Sequence, residues 1–271
     1  MSDSDKIIQA AEAIEGIVKA VPIYQDALQP AAQQIGKGLE TITKTIHVAL
    51  APVSALVWGY EKISEFLSSK LVDKLKNVPL ERIVTPNLLV AGPIVESLKF
   101  AAHEDNLREL YANLLATSID LQTAQNAHPG FVQIIQNMSP DEAKILQYFA
   151  ISGDQPLIDV KANIQSKGGF RVLYRNFSHI GKKAGCEFQD LLPNYINNLC
   201  RLGLLEIPTG RFIIMKGIYE ELESDKQLAP IKDKIKTTEG WTVGFDRKKI
   251  ELTDLGSQFC LACVIDKSLQ L

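Results

Sequence analysis

Cys260 and Cys263 are the residues in this sequence whose spacing comes nearest to a chemical device. A C-x-x-C does redox chemistry when one thiolate is stabilised at the start of a helix, and it holds zinc when two further ligands stand close by. Here the pair lies inside the apolar run Phe259, Leu261, Ala262, Val264, Ile265, with no second C-x-x-C and no closely spaced histidine pair. Free cysteine behaves as a small buried hydrophobe, so Cys186, Cys200, Cys260 and Cys263 are all expected to be reduced structural thiols. The four histidines offer little more. His47 sits in an uncharged stretch, His128 precedes Pro129 and His179 falls in an expected loop. His103 beside Glu104 and Asp105 has the makings of a general base or a metal fragment, but no H-E-x-x-H or third ligand accompanies it. Acidic residues in the first turn of a helix account for the same cluster. Gly168-Gly169-Phe170-Arg171 lacks the Lys-Ser/Thr that would hold a phosphate and magnesium, and no G-x-S-x-G or G-x-G-x-x-G occurs. Glu220, Glu221, Glu223 and Asp225, interrupted by Leu222, read as a solvated helix face. No catalytic residue, metal ligand or cofactor is assigned, and a non-enzymatic protein is expected.

The 271 residues are 46% apolar and 23% charged, with a formal net charge of −3. That composition belongs to an ordinary globular protein and excludes a disordered chain, a collagen-like fibre or a disulfide-stapled mini-protein. It also excludes a uniformly basic nucleic-acid binder. Residues 1–138 hold 11 Lys plus Arg against 15 Asp plus Glu, whereas residues 139–271 hold 18 against 17. Local basic groups remain: Arg171, Arg175, Lys182 and Lys183 form a loose cluster, and Arg247, Lys248 and Lys249 are consecutive. The N-terminus lacks the basic and apolar regions of a signal peptide. No segment reaches the ~20 apolar residues of a membrane-spanning helix. The nearest approach is the sixteen-residue uncharged stretch Thr45–Tyr60, which carries Val48, Leu50, Val53, Leu56, Val57 and Trp58 around Pro52. It reads either as a buried bundle helix or as an interfacial membrane segment.

The elements that must position these groups are mostly helical in the first half. Apolar residues recur every three or four positions from Asp5 to Val21 and again from Tyr24 to Ile42. A third stripe, Tyr60, Ile63, Phe66, Leu67, Leu71 and Leu75, faces away from Lys62, Lys70, Lys74 and Lys76. The stretch from Asn77 to Pro93 is expected to be loop or short turns, with Pro93 in the first turn of the next helix. Leu107, Leu110, Tyr111, Leu114, Leu115 and Ile119 give another wide apolar face with Asn113 beside it, and Pro129 opens a short helix. Ser139-Pro140-Asp141-Glu142 is a capping box, and the boundary between two domains, 1–138 and 139–271, is placed there. The second half is expected to hold a short strand at Leu157–Val160 and a helix from about Leu191 carrying Arg201. A strand at Arg211–Met215, two short strands joined by a basic turn at Arg247–Lys249, and a last helix capped by Thr253 or Asp254 complete it. That order is the order of a winged-helix domain. The fold is therefore expected to be mainly α, an N-terminal helical bundle followed by a winged-helix-like α+β domain.

Residues 50–149 carry a more specific signal. The segments WGYEKISEFLSSKL, NVPLERIVTPNLLVAGP, LRELYANLLATSID and HPGFVQIIQNMSPDEAKIL resemble the abortive-infection alpha family, and the likeness extends weakly through the C-terminal part. Within these segments stand Pro86, Gly92, Pro93, Arg108, Glu109, Leu110, Asn113, Leu114, His128, Pro129, Ser139 and Pro140. The resemblance implies a bacterial helical protein of phage defence, cytoplasmic or peripheral at the inner face of the plasma membrane. It brings no catalytic residues with it. The expected function is an effector or assembly role for the helical region and a sensing or partner-binding role for the C-terminal domain. The trigger would be a phage or host protein, and self-association or contact with a membrane surface would fit. The rival reading is a nucleic-acid-binding regulator whose winged helix contacts phosphates through Arg171, Arg175, Lys182, Lys183, Arg201, Arg247, Lys248 and Lys249.

Overall fold

The computed structural model describes residues 60–101, 104–165 and 168–269. The segment containing Val48, Leu50, Val53, Leu56, Val57 and Trp58, the two stripes before it, His47 and His103 lie outside the described residues. Within them the protein is mainly helical, with one four-stranded antiparallel sheet.

Helix α1 (Tyr60–Leu75) buries Ile63, Leu67, Leu71 and Leu75, one residue per turn, as the periodicity requires. Helix α2 (Leu88–Leu98) starts earlier than expected, because the Asn87 side chain accepts a hydrogen bond from the Leu89 N–H at 2.9 Å and caps it there. Gly92 and Pro93 therefore lie inside the helix. Pro93 is on the exposed side, where water can stand in for the donor it lacks. Helix α3 (Asp105–Ile119) is the central one: every residue from Leu110 to Ile119 is buried. Helix α4 (Gly130–Gln136) begins after Pro129, and α5 (Pro140–Ser152) begins at the expected capping box. There the Ser139 N–H donates to the Glu142 carboxylate at 2.7 Å, and the Ser139 hydroxyl accepts from the Glu142 N–H.

The sheet follows. Strands β1 (Gln155–Ile164) and β2 (Gly169–Phe177) form a hairpin, helices α6 (Ile180–Lys183) and α7 (Leu192–Arg201) come next, and β3 is the two-residue strand Leu205–Glu206. Helices α8 (Ile218–Glu223) and α9 (Ala229–Thr237) precede β4 (Trp241–Leu252), and the strand order is β2-β1-β4-β3. Two sequence expectations are corrected here. Arg247–Lys249 is not a turn, because β4 runs unbroken and pairs with β1 over ten positions, from Ile250 opposite Gln155 to Trp241 opposite Ile164. Arg211–Met215 is not a regular strand: only one backbone bond, Lys249 N–H to the Arg211 carbonyl at 3.2 Å, joins it to β4. Its next ladder position is taken by the Tyr219 hydroxyl, which accepts from Ile213 N–H and donates to the Lys248 carbonyl.

Helix α10 (Asp254–Phe259) is capped by Thr253, whose hydroxyl accepts from the Gly256 N–H at 2.8 Å. A side chain at 256 would put its Cβ 2.0 Å from the Leu204 carbonyl oxygen, so only glycine allows this helix to sit against β3. The helix loosens into a single π turn, Cys260–Val264. The largest core cluster runs from Ile63 and Leu71 through Leu114 and Phe149 to Leu199, Phe259 and Cys263, and so draws residues from both sides of position 139. A second cluster, with Ile158, Val160, Ala162, Phe177, Tyr219 and Ile235, lies between the sheet and α8–α9.

Candidate functional site

Two polar assemblies stand out. The first is an open cleft of about 540 Å³ between α6 and the α8 end, lined by Ser178, His179, Lys182, Lys183, Gln189, Glu221, Asp225 and Gln227. His179 ends the β2–α6 link, where the Ser178 hydroxyl donates to the Pro156 carbonyl and accepts from Ile180 N–H. Its two ring nitrogens face two carboxylates: Nε2 lies 2.7 Å from Asp225 and Nδ1 3.4 Å from Glu221. The other Asp225 oxygen accepts from the Gln227 N–H at 2.7 Å; that bond, with His179 and Lys182 nearby, holds its carboxyl below the usual range despite burial. The acidic cluster read as a solvated face is thus partly spent within the chain, Glu221 and Asp225 on His179, Glu220 and Glu223 on Arg247.

The second assembly joins the C-terminal strap, Cys260–Leu269, to the N-terminal helices. A π turn leaves carbonyls that the α-helical ladder no longer satisfies. Asn113 and Thr117, one turn apart on α3, meet them. The Asn113 amide donates to the Cys263 carbonyl at 2.9 Å, and the Thr117 hydroxyl donates to that of Ala262 at 3.0 Å. Lys74, placed opposite the apolar stripe by the periodicity, is buried and pairs with Asp266 at 2.8 Å and Glu109 at 3.0 Å. Wholly buried Asp120 holds the Arg82 guanidinium at 2.5 Å and the Lys267 ammonium at 2.9 Å. Burial alone would raise the Asp120 carboxyl, but these two cations outweigh it and hold it below the ordinary value.

Of the residues quoted for the family resemblance, Glu109 and Asn113 belong to this junction and the others are spread over the helices before residue 153. Leu110 and Leu114 are fully buried on α3, Glu109 joins Lys70 and Lys74, and Arg108 pairs with Asp105 and lies over the Phe66 ring. Pro86 is buried just before α2, Gly92 and Pro93 are within it, and Ser139 and Pro140 start α5. His128 is exposed, and its Nδ1 accepts from the Gly130 N–H. Asp141, beside the cap, receives the N–H groups of Glu187 and Phe188 at 2.9 Å each, the Lys144 ammonium and the Tyr195 hydroxyl.

The eight cations assigned to phosphate contact are dispersed. Arg171 and Arg175 are exposed on β2, Lys182 and Lys183 line the cleft, and Arg201 bonds the Asn198 amide oxygen on α7. On β4, Arg247 pairs with Glu223 at 2.6 Å, Lys248 with Asp159 at 2.6 Å, and Lys249 with Asp154 at 2.8 Å and with Glu251. The Lys248 ammonium also donates to Asn176, a residue at φ 57° whose N–H is held by Asp159 where the β1–β2 register shifts. All four cysteines are free; burial pushes the Cys260 thiol up to about 12 and raises that of Cys263 well above its ordinary value. Sequence reasoning missed Asp120, Asp266 and Lys267, whose partners are distant in the chain. No group of three His, Cys, Asp or Glu suited to a metal ion occurs among the described residues, and no helix among them is long and apolar enough to cross a membrane.

Fold and site together define a mainly helical protein with a small antiparallel sheet, in which buried charges bind the chain's last segment to its N-terminal helices. The chain belongs to the abortive infection alpha family, whose sequence model matches residues 59–263. No curated protein matches it. Among solved structures, an uncharacterised protein from the hydrocarbon-degrading marine bacterium Alcanivorax borkumensis SK2 is similar at 21% identity, covering 52% of this chain and 94% of that one, with a TM-score of 0.35.

Proposed function

We propose that this protein is a non-enzymatic abortive-infection protein in which the C-terminal half senses a phage or host partner and the helical region acts as effector or assembly part. The observation that carries this reading is the α3–strap junction. Asn113 and Thr117 hold the last segment of the sensing half by its own backbone, so a partner that displaced the strap would act directly on the central helix. The buried carboxylates favour a mechanical role, since each is tied to another element: Asp120 to Lys267, Asp141 to the Glu187 N–H and Asp159 to Lys248.

In this reading residues 139–271 are winged-helix-like: α5, α6 and α7 form the helical part, β1, β3 and β4 the small sheet, and residues 207–240 an enlarged wing. Its support is the pairing of β4 with Gln155 at one edge and with Leu205 at the other. The sensing face would bind protein, because the cations on the β4 wing strand are paired with carboxylates of the same chain. The helical region would include Thr45–Tyr60 as its effector segment, acting in the cytoplasm or at the inner face of the membrane.

The test is phage plating efficiency together with host survival at high phage dose, with wild type, Leu56→Asp and an Asn113→Ala/Thr117→Val variant. Fewer plaques with death of infected cells is expected for wild type, and loss of both in the variants while the protein remains folded. Protection with full survival of infected cells overturns the abortive mechanism, and full protection by the Asn113/Thr117 variant overturns the strap as its relay.

A further inference from the structure

The loop before α8 displays an apolar strip that nothing described so far employs. Gly210 at φ 71° and Gly217 at φ 87° bracket the run Arg211-Phe212-Ile213-Ile214-Met215-Lys216, both in a left-handed conformation that suits glycine. Between them the backbone is held at two points, by the Arg211 carbonyl on Lys249 N–H and by Ile213 N–H on the Tyr219 hydroxyl. Ile213 packs toward the second core cluster. Its neighbours point the other way: Ile214 is 94% exposed, Met215 63% and Phe212 54%. Large apolar side chains gathered on one pinned loop mark a contact surface, whereas single ones scattered over a surface do not.

The charges around the strip select the occupant. Glu220 and Glu223 share the Arg247 guanidinium, Glu221 lies 3.4 Å from His179, and one oxygen of Glu251 is on Lys249, all turned away from the strip by these contacts within the chain. Arg211 has only the other Glu251 oxygen, at 3.8 Å, and Lys216 has no ion pair among the described residues. Two outward cations therefore flank an aromatic, a branched aliphatic and a thioether side chain. A second copy of the same strip laid antiparallel would set Arg211 against Lys216, cation against cation. A bilayer surface carrying anionic lipid satisfies both features, acyl chains receiving the apolar tips and headgroup phosphates the cations.

We propose that residues 211–216 are a peripheral membrane-docking loop that dips Phe212, Ile214 and Met215 into an anionic lipid surface. This is independent of residues 45–60 and of the anti-phage reading, which the plating experiment tests separately. The full chain is sedimented with vesicles of phosphatidylcholine alone and of phosphatidylcholine mixed with phosphatidylglycerol. Binding only to the anionic vesicles, weakened by salt, is expected. Replacing Phe212, Ile214 and Met215 together by serine should lower partitioning at least about tenfold, and Arg211→Gln/Lys216→Gln should abolish the preference for phosphatidylglycerol. Ile214→Trp provides a readout at the loop itself, since brominated lipids should quench its fluorescence beyond that of wild type. No binding to either vesicle, full binding by the triple-serine variant, or an unquenched tryptophan at 214 overturns the proposal. So does a wild-type dimer in light scattering that the triple-serine variant dissolves, which would assign the strip to a second copy.

Discussion

Asp141 shows how much one residue at a helix start can carry. Burial pushes its carboxyl up, but the Lys144 ammonium and the backbone N–H groups of Phe188 and Glu187 outweigh that and hold it at about 2, against an ordinary 3.8. A carboxyl held lower in the folded state than in the unfolded one adds stability that is complete above the unfolded value and lost as the pH falls through the folded one. The gap corresponds to about 2 kcal/mol at neutral pH. Asp141→Asn should therefore lower unfolding stability by about that amount at pH 7. The difference between variant and wild type should shrink between about pH 4 and pH 2, as urea unfolding across that range will show. A gap that persists at pH 2 would mean that the residue acts through packing.

At the scale of elements, Tyr219 explains why a run as strand-like as Arg211–Met215 stops short of being a strand. Its hydroxyl accepts from the Ile213 N–H and donates to the Lys248 carbonyl, so the backbone beside β4 is satisfied without a continuous pairing. Tyr219→Phe leaves Ile213 N–H and the Lys248 carbonyl without that partner and should cost about 1–3 kcal/mol. Hydrogen exchange should quicken at Ile213 while β1–β4 amides remain protected. Equal loosening of the whole sheet would contradict the local role. Lys248 and Asn176 illustrate a related point, because a basic residue in mid-strand is here the lock on a register shift, held by Asp159.

For the molecule as a whole, the strap ties residues 260–269 to the helices before residue 139. Asp120 is fully buried between Arg82, which precedes α2, and Lys267, nearly 150 residues later. Lys267→Met removes one of its two cations and should cost about 3 kcal/mol, since a buried charge that loses a partner is expensive. Protection in hydrogen exchange should fall in α1 and α3 as well as in residues 260–269, with unfolding still a single transition. If α1 and α3 keep their protection, the helices before residue 139 are stable without the strap.

The local grammar was legible in the amino-acid sequence. The stripe of α1, the span of α3, the capping box at Ser139 and a cap at Thr253 or Asp254 all rest on residues within a few positions of one another, where helix geometry alone dictates who meets whom. The Asn87 cap, which starts α2 ahead of Gly92 and Pro93, is just as local, two residues from Leu89, but a helix-breaking composition concealed it. Tertiary structure decided the rest. The ten-residue pairing with β1 kept β4 straight through Arg247–Lys249, where charge density had suggested a turn. Lys74, Asp120, Asp266 and Lys267 could not be paired in advance, for nothing local records which carboxylate will face which ammonium when residues 60–120 and 260–269 are packed together. A charged residue is written the same way whether water or another chain segment will solvate it, and only the packed core distinguishes the two.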